Sequence, residues 1–311
     1  MSNCDTIDRT MERSPRRTIS SSMYRRISLL NLMLQTLIVV TGATVRLTGS
    51  GLGCSHWPKC SDTHALPRMS FHAIVEFSNR MISLPLTLVA IVAFIGAWRL
   101  AQPRKDLRIA SGLVLFGVIA QIVVGGMSVL FELPPLLISA HFLISILILT
   151  AASFAWFASR SDDVVRFHAR TRVSMLALGT LLIAAIVITA GVLTTAGGPY
   201  SGAEARGIVE RFGNWHLAVT IHARGAYVFA TCVIGLTLWV RRSTQGARDL
   251  AILTGLIVLQ ITLGEIQYRT NLPRGVVLAH IANAAALWTM TTMIVWRSCT
   301  TRAEASDTVS A

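Results

Sequence analysis

Eight apolar runs, each close to the length a helix needs to cross a bilayer, dominate this chain and exclude most folds. They fall at residues 27–47, 71–98, 109–131, 135–159, 173–195, 216–240, 250–268 and 275–296. At 1.5 Å per residue, about 20 residues span the hydrocarbon layer. Composition agrees, since only 14% of the 311 residues are charged and 53% are hydrophobic. A soluble chain carries about 25% charged residues, so this surface must be solvated by the lipid bilayer. The fold class read from this pattern is an all-α polytopic membrane protein with eight transmembrane helices.

The 28 Lys and Arg exceed the 15 Asp and Glu, leaving a net charge of +13. In a soluble protein such an excess would point to nucleic acid, but here the charges sit between apolar runs, and no nucleic-acid partner is expected. Nineteen of the 28 lie in the N-terminal segment, the 2–3, 4–5 and 6–7 connections, and the C-terminal tail. The positive-inside rule then puts both termini in the cytoplasm of a cell-membrane protein. The Ser/Arg-rich residues 1–22 and the polar 302–311 are expected to be disordered. The first run is too long, and lacks the small-residue cleavage site, for a removable signal peptide.

The chain repeats itself. Gln121, Ile122, Gly125, Leu133, Pro134 and His141 return as Gln260, Ile261, Gly264, Leu272, Pro273 and His280, each pair 139 positions apart. Gly42 and Gly191 fit the scheme more loosely. Two pseudo-symmetric four-helix bundles follow, related by an axis along the membrane normal. The expected organisation is a cytoplasmic segment 1–26, an N-terminal half 27–159, a linker 160–172, a C-terminal half 173–297 and a tail 298–311.

Ionisable groups inside a span are expensive and by default functional. His141 and His280 each lie seven residues after a Leu-Pro pair, which at the helical rise is roughly 10 Å below the outer surface. His222 lies eight residues after Asn214, at a similar depth. A lone membrane histidine is as often an interhelical hydrogen-bonding residue. Three at one level, two of them repeat-related, suggest axial haem ligands held between facing helices. His72 and His216, nearer the outer helix ends, read as interfacial, and His56, His64 and His168 as solvated loop residues. Zinc fits poorly, because no Cys/His cluster has its ligand spacing.

The first outer loop holds Cys54 and Cys60, with five residues between them, on the oxidising side. A disulfide is expected there, with metal binding by two lone thiols as the weaker alternative. Cys4, Cys232 and Cys299 read as unpaired small residues.

These residues carry a resemblance. The segment Thr41-Gly42-Ala43-Thr44-Val45-Arg46 running through Cys54-Ser55-His56-Trp57-Pro58-Lys59-Cys60 resembles the haem A synthase family. So do Glu76-Phe77-Ser78-Asn79-Arg80, Phe212-Gly213-Asn214 with His222, and the two Leu-Pro-x6-His elements. The likeness runs from about residue 27 to 297. It implies a membrane oxidoreductase that converts the C8 methyl of haem O to a formyl group, giving haem A for cytochrome oxidase. It also implies haem b in the C-terminal half on His222 and His280, and the substrate haem in the N-terminal half on His141. Glu76 matches the family's functional glutamate. The implied partners are a haem O synthase (protohaem farnesyltransferase) and cytochrome oxidase assembly; a homo-oligomer is left open. The sequence departs at one position: Asn79 stands where the family often has histidine. The substrate haem is then expected to be held by His141 alone, with Asn79 hydrogen-bonded to a water or to Glu76.

Beside the resemblance, a buried carboxylate near a reacting methyl would stabilise a developing cation or take its proton. Glu76 is the acidic residue placed for this. Its rival role is an i, i+4 ion pair with Arg80. Arg80 and Arg224 are candidates for haem propionates, again against an internal ion pair. Two other classes compete. A di-haem b-type electron-transfer cytochrome would be expected to carry four membrane histidines. A transporter with parallel repeats would not explain histidines at one depth.

Overall fold

The computed structural model describes residues 18–54, 56–61, 66–67, 69–201, 214–240 and 244–302. His64, Phe212, Gly213 and the terminal segments 1–17 and 303–311 lie outside them. Eight helices follow in order: α1 (Ser21–Leu47), α2 (Phe71–Trp98), α3 (Lys105–Leu130), α4 (Pro135–Ala158), α5 (Arg172–Ala196), α6 (Trp215–Val240), α7 (Thr244–Arg269) and α8 (Arg274–Cys299). All eight are long and apolar enough to cross a membrane. The chain is a multi-pass membrane protein.

Several helices begin before their apolar run. Ser20 caps α1 by accepting the Met23 N–H, and Thr171 forms a capping box with Ser174 at α5. These side chains satisfy amide groups that the first turn leaves without carbonyl partners. Helix α1 therefore starts at Ser21, ahead of its apolar run at 27; α3 also starts early, at Lys105 ahead of 109, without a side-chain cap.

Packing follows a two-fold scheme throughout. Within the first half α1 packs on α2 and α4, and α3 on α2 and α4; in the second α5 packs on α6 and α8, and α7 on α6 and α8. Between halves α1 meets α8, α4 meets α5, and α4 meets α8. The last pair crosses at the axis. Ser153 and Thr292, 139 residues apart, hydrogen-bond to each other at 3.0 Å and are both fully buried. A residue can touch its own repeat equivalent only where the axis passes. Around this pair Trp288 donates to Thr150 and Trp296 to Ser153, while Leu149 and Val295 fill the apolar core. Lipid cannot drive apolar helices together, so small residues and interhelical hydrogen bonds must do so. Leu88, Phe116, Leu147 and Leu182 stay exposed, facing outward as lipid contact requires.

The two α–α turns ahead of α4 and α8 are copies. Glu132 and Leu133 have φ of 60° and 62°, and Asn271 and Leu272 both have 58°. Left-handed backbone costs a non-glycine residue roughly 1–2 kcal/mol. It is offset because Leu133 N–H reaches the Ser128 carbonyl and Leu272 N–H the Gln267 carbonyl, closing each helix end. Pro134 and Pro273 then start the next helix in both copies.

At the opposite end of the bundle lie both ends of the described chain. A two-stranded antiparallel ladder joins β1 (Val165–Phe167) to β2 (Thr300–Arg302), so short strands supplement the otherwise all-α fold. The buried Arg104–Asp106 ion pair braces this end, Asp106 also accepting the Val165 N–H.

Candidate functional site

The sites are built at the end of the bundle that carries the cysteine loop. Cys54 and Cys60 are disulfide-bonded. The loop folds down against α2: a Cβ at Gly53 would come within 2.4 Å of the His72 carbonyl, so only glycine fits there. Trp57 packs against Gly126 of α3, the neighbour of Gly125, which contacts the His141 ring. Leu133, from the α3–α4 turn, lies against Gly51. The loop thus covers the His141 side of the first half.

Glu76 and Arg80 fasten it. Glu76, 4% exposed, accepts the Cys54 N–H at 2.7 Å with one oxygen and Arg80 at 2.5 Å with the other. Arg80 also donates to the carbonyls of His56 at 3.0 Å, Lys59 at 3.3 Å and Cys54 at 3.4 Å. The i, i+4 pair raised from the sequence is therefore present, and the guanidinium is committed to loop carbonyls. His72 is exposed and hydrogen-bonded to Ser50, and His216 and His168 are exposed. Arg224 is exposed on α6.

In the second half the rings of His222 and His280 face each other across the α6–α8 gap, with centroids 6.1 Å apart. Two imidazoles that share one metal at about 2 Å from each nitrogen have centroids roughly 6 Å apart. His222 Nδ1 lies 2.8 Å from the Val187 carbonyl of α5. A carbonyl only accepts, so Nδ1 must carry the proton, leaving the Nε2 lone pair for a metal. This is the outer-shell bond that metal-bound histidines commonly make. Gly191, one turn along α5, admits the ring: a Cβ there would sit 2.8 Å from His222 Cε1. Gly125 and Gly264 lie against His141 and His280 less tightly, with a Cβ at 3.1 and 3.5 Å from the ring Cε1. The Nδ1 atoms of His141 and His280 are buried without a hydrogen bond, although the Gln260 carbonyl is close to the latter. Among the described residues, no cluster of three His, Cys, Asp or Glu is arranged to hold a metal ion directly. The donor groups are one facing imidazole pair in the second half and the single His141 in the first, a set that fits a metal bringing ring nitrogens of its own, such as a haem iron.

The first half repeats this arrangement with one change. Asn79 does not bond Glu76, whose two oxygens face Cys54 and Arg80. Its carboxamide oxygen instead accepts the Thr41 hydroxyl of α1 at 2.8 Å. Thr41 also contacts the Ile38 carbonyl at 3.3 Å, four residues before Gly42, as Val187 stands four before Gly191. A Cβ at Gly42 would meet no atom of the described residues within 4 Å, so among them the space that the His222 ring fills in one half is open in the other.

Several supporting residues escaped the sequence reading. Val187, Ser145 and Asn283 were not singled out, and Thr41 stood in the quoted segment without an assigned role. Gln121 and Gln260 stood in the repeat without an assigned role. Gln121 donates to the His141 carbonyl and Ser145, and Gln260 accepts from Asn283, bracing each histidine helix.

A 131-residue stretch is 36% identical to "Heme A synthase" of Symbiobacterium thermophilum, covering 41% of this chain and 42% of that protein. A 177-residue stretch is 28% identical to "Heme A synthase" of Bacillus pumilus, covering 54% and 57%. A further 102 residues are 35% identical to part of "Protoheme IX farnesyltransferase" of Thermus thermophilus, covering 32% of this chain and 17% of that protein. The chain thus matches only about half of the length of the curated synthases, or less. The family model "Cytochrome oxidase assembly protein" matches residues 25–74 and 63–292, which takes in all three histidines, Glu76 and the disulfide loop. The chain belongs to the COX15-CtaA family of cytochrome oxidase assembly proteins.

Proposed function

We propose that this protein is a haem A synthase: a membrane oxidoreductase that oxidises the C8 methyl of haem O to a formyl group. The observation that carries the reading is the facing pair His222 and His280 at 6.1 Å, with repeat-equivalent His141 in the other half. His222 and His280 hold haem b, and His141 holds the substrate haem beneath the disulfide loop. Haem b supplies a one-electron redox centre when bound. The His222 Nδ1 bond to Val187 orients that ligand, and the Trp57 side of the loop excludes water from the substrate half. Glu76 is the carboxylate that stabilises positive charge or takes a proton at the reacting carbon. Arg80 and the Cys54 N–H hold it in place, and Arg224 is left for a propionate. Haem O reaches the protein from a protohaem farnesyltransferase, and haem A leaves it toward cytochrome oxidase assembly.

The test is coexpression with a haem O source, followed by haem extraction. Haem A that depends on this chain is the expected outcome. Haem B alone, with haem O unconverted, would favour a di-haem electron-transfer cytochrome. The excess of basic residues on one side puts both termini in the cytoplasm of the cell membrane. A C-terminal alkaline phosphatase fusion should therefore be inactive, and an active fusion would reverse the topology.

A further inference from the structure

The two halves hold the same cradle with different contents, and the difference lies at Thr41 and Asn79. In the second half a glycine, a carbonyl four residues earlier and an imidazole form one unit: Gly191, Val187 and His222. In the first half Gly42 and the Ile38 carbonyl persist, but the Thr41 hydroxyl, 3.3 Å from that carbonyl, donates its one hydrogen to the Asn79 oxygen at 2.8 Å. The space beside Gly42 is left open. Among the described residues, the Asn79 amide nitrogen has no acceptor.

We propose that the N-terminal half binds its haem through His141 alone, and that Asn79, oriented by Thr41, is a hydrogen-bond donor to a small uncharged ligand taken on the opposite face. This rests on the reading that His141 holds the substrate haem. A carboxamide is a far weaker iron ligand than imidazole, and distal hydrogen-bond donors and steric access decide what a haem binds. The Thr41 hydroxyl spends its one hydrogen on the carboxamide oxygen. With the oxygen engaged, the two N–H bonds are the groups available to a neighbour. The asymmetry also separates the halves chemically: one site closed by two imidazoles, the other open on one side.

The probe is carbon monoxide, added to the ferrous protein with haem at both sites and read by absorption and infrared spectroscopy. Wild type should bind carbon monoxide at one of its two haems, and His141→Ala should lose that fraction while keeping the low-spin C-terminal haem. Asn79→His should abolish carbon monoxide binding and convert the high-spin ferric signal to low spin. Asn79→Leu should still bind carbon monoxide, with the C–O stretch moved to higher frequency; Thr41→Val should move it in the same direction by less. A residue that merely packs would change haem occupancy and leave that frequency alone. A wild-type protein with both sites filled, wholly low-spin and inert to carbon monoxide would overturn the proposal while leaving the functional reading intact. So would an unchanged C–O stretch in Asn79→Leu. Haem only at His222 and His280, in wild type as in His141→Ala, would overturn the functional reading and the proposal together.

Discussion

Replacing His222 or His280 with alanine should abolish the low-spin haem signal of the C-terminal half, leaving a high-spin or haem-free protein. An iron between two imidazoles is low-spin because both axial fields are strong, and losing either removes that condition. The geometry sharpens the expectation. The His222 ring is held between the Val187 carbonyl and Gly191, so a small change in α5 should act like loss of the ligand. Gly191→Ala places a Cβ 2.8 Å from His222 Cε1, and the ring must shift away from the 6.1 Å pairing with His280. Gly42→Ala, at the matching place in the first half, meets no atom within 4 Å and should leave the spectrum unchanged. Electron paramagnetic resonance of the ferric proteins decides the matter. A normal low-spin signal at full haem content in His222→Ala would show that another residue is the ligand.

Glu76→Gln should lower haem A formation on the order of 100-fold or more, the range typical for loss of a placed acid–base group, while the disulfide loop stays closed. Glutamine keeps an oxygen for the Cys54 N–H and loses the charge facing Arg80. Glu76→Ala removes both, leaving a guanidinium of 17% exposure and a loop amide without their acceptor. Breaking such a pair costs on the order of 3 kcal/mol. The alanine protein should therefore lose loop order as well as activity, seen as faster reduction of Cys54–Cys60 and alkylation of both thiols. The two variants separate the roles. If Glu76 only fastens the loop, the glutamine protein will keep nearly full activity, and the catalytic assignment must be given up.

Much of the fold was legible before any coordinates. Spans were visible because a bilayer imposes length and hydropathy on each helix separately. The two-fold organisation was visible because the repeat kept its register of 139 residues, down to the Leu-Pro turns now seen with matching left-handed backbone. The histidines stood out because an ionisable group in a span is costly wherever it lies. The apolar runs did not mark where the helices begin, since hydropathy senses the lipid boundary while a capping side chain such as Ser20 sets the helix boundary.

What the sequence alone determined was the number of spans, their pairing into halves, the disulfide candidates and the residues worth suspecting. Each of these depends on a local property or a fixed offset along the chain. Only the tertiary structure decided which partner each suspect has. Glu76 meets the Cys54 amide 22 residues away, Asn79 meets Thr41 38 residues away, and Ser153 meets its own repeat image Thr292 on the axis. Such contacts join separate helices, and helix rotation and crossing set them through packing that no single segment encodes. Asparagine at 79 announces a missing imidazole; that its oxygen is taken by a neighbouring helix, while its nitrogen has no acceptor among the described residues, is a fact of how α1 and α2 are packed.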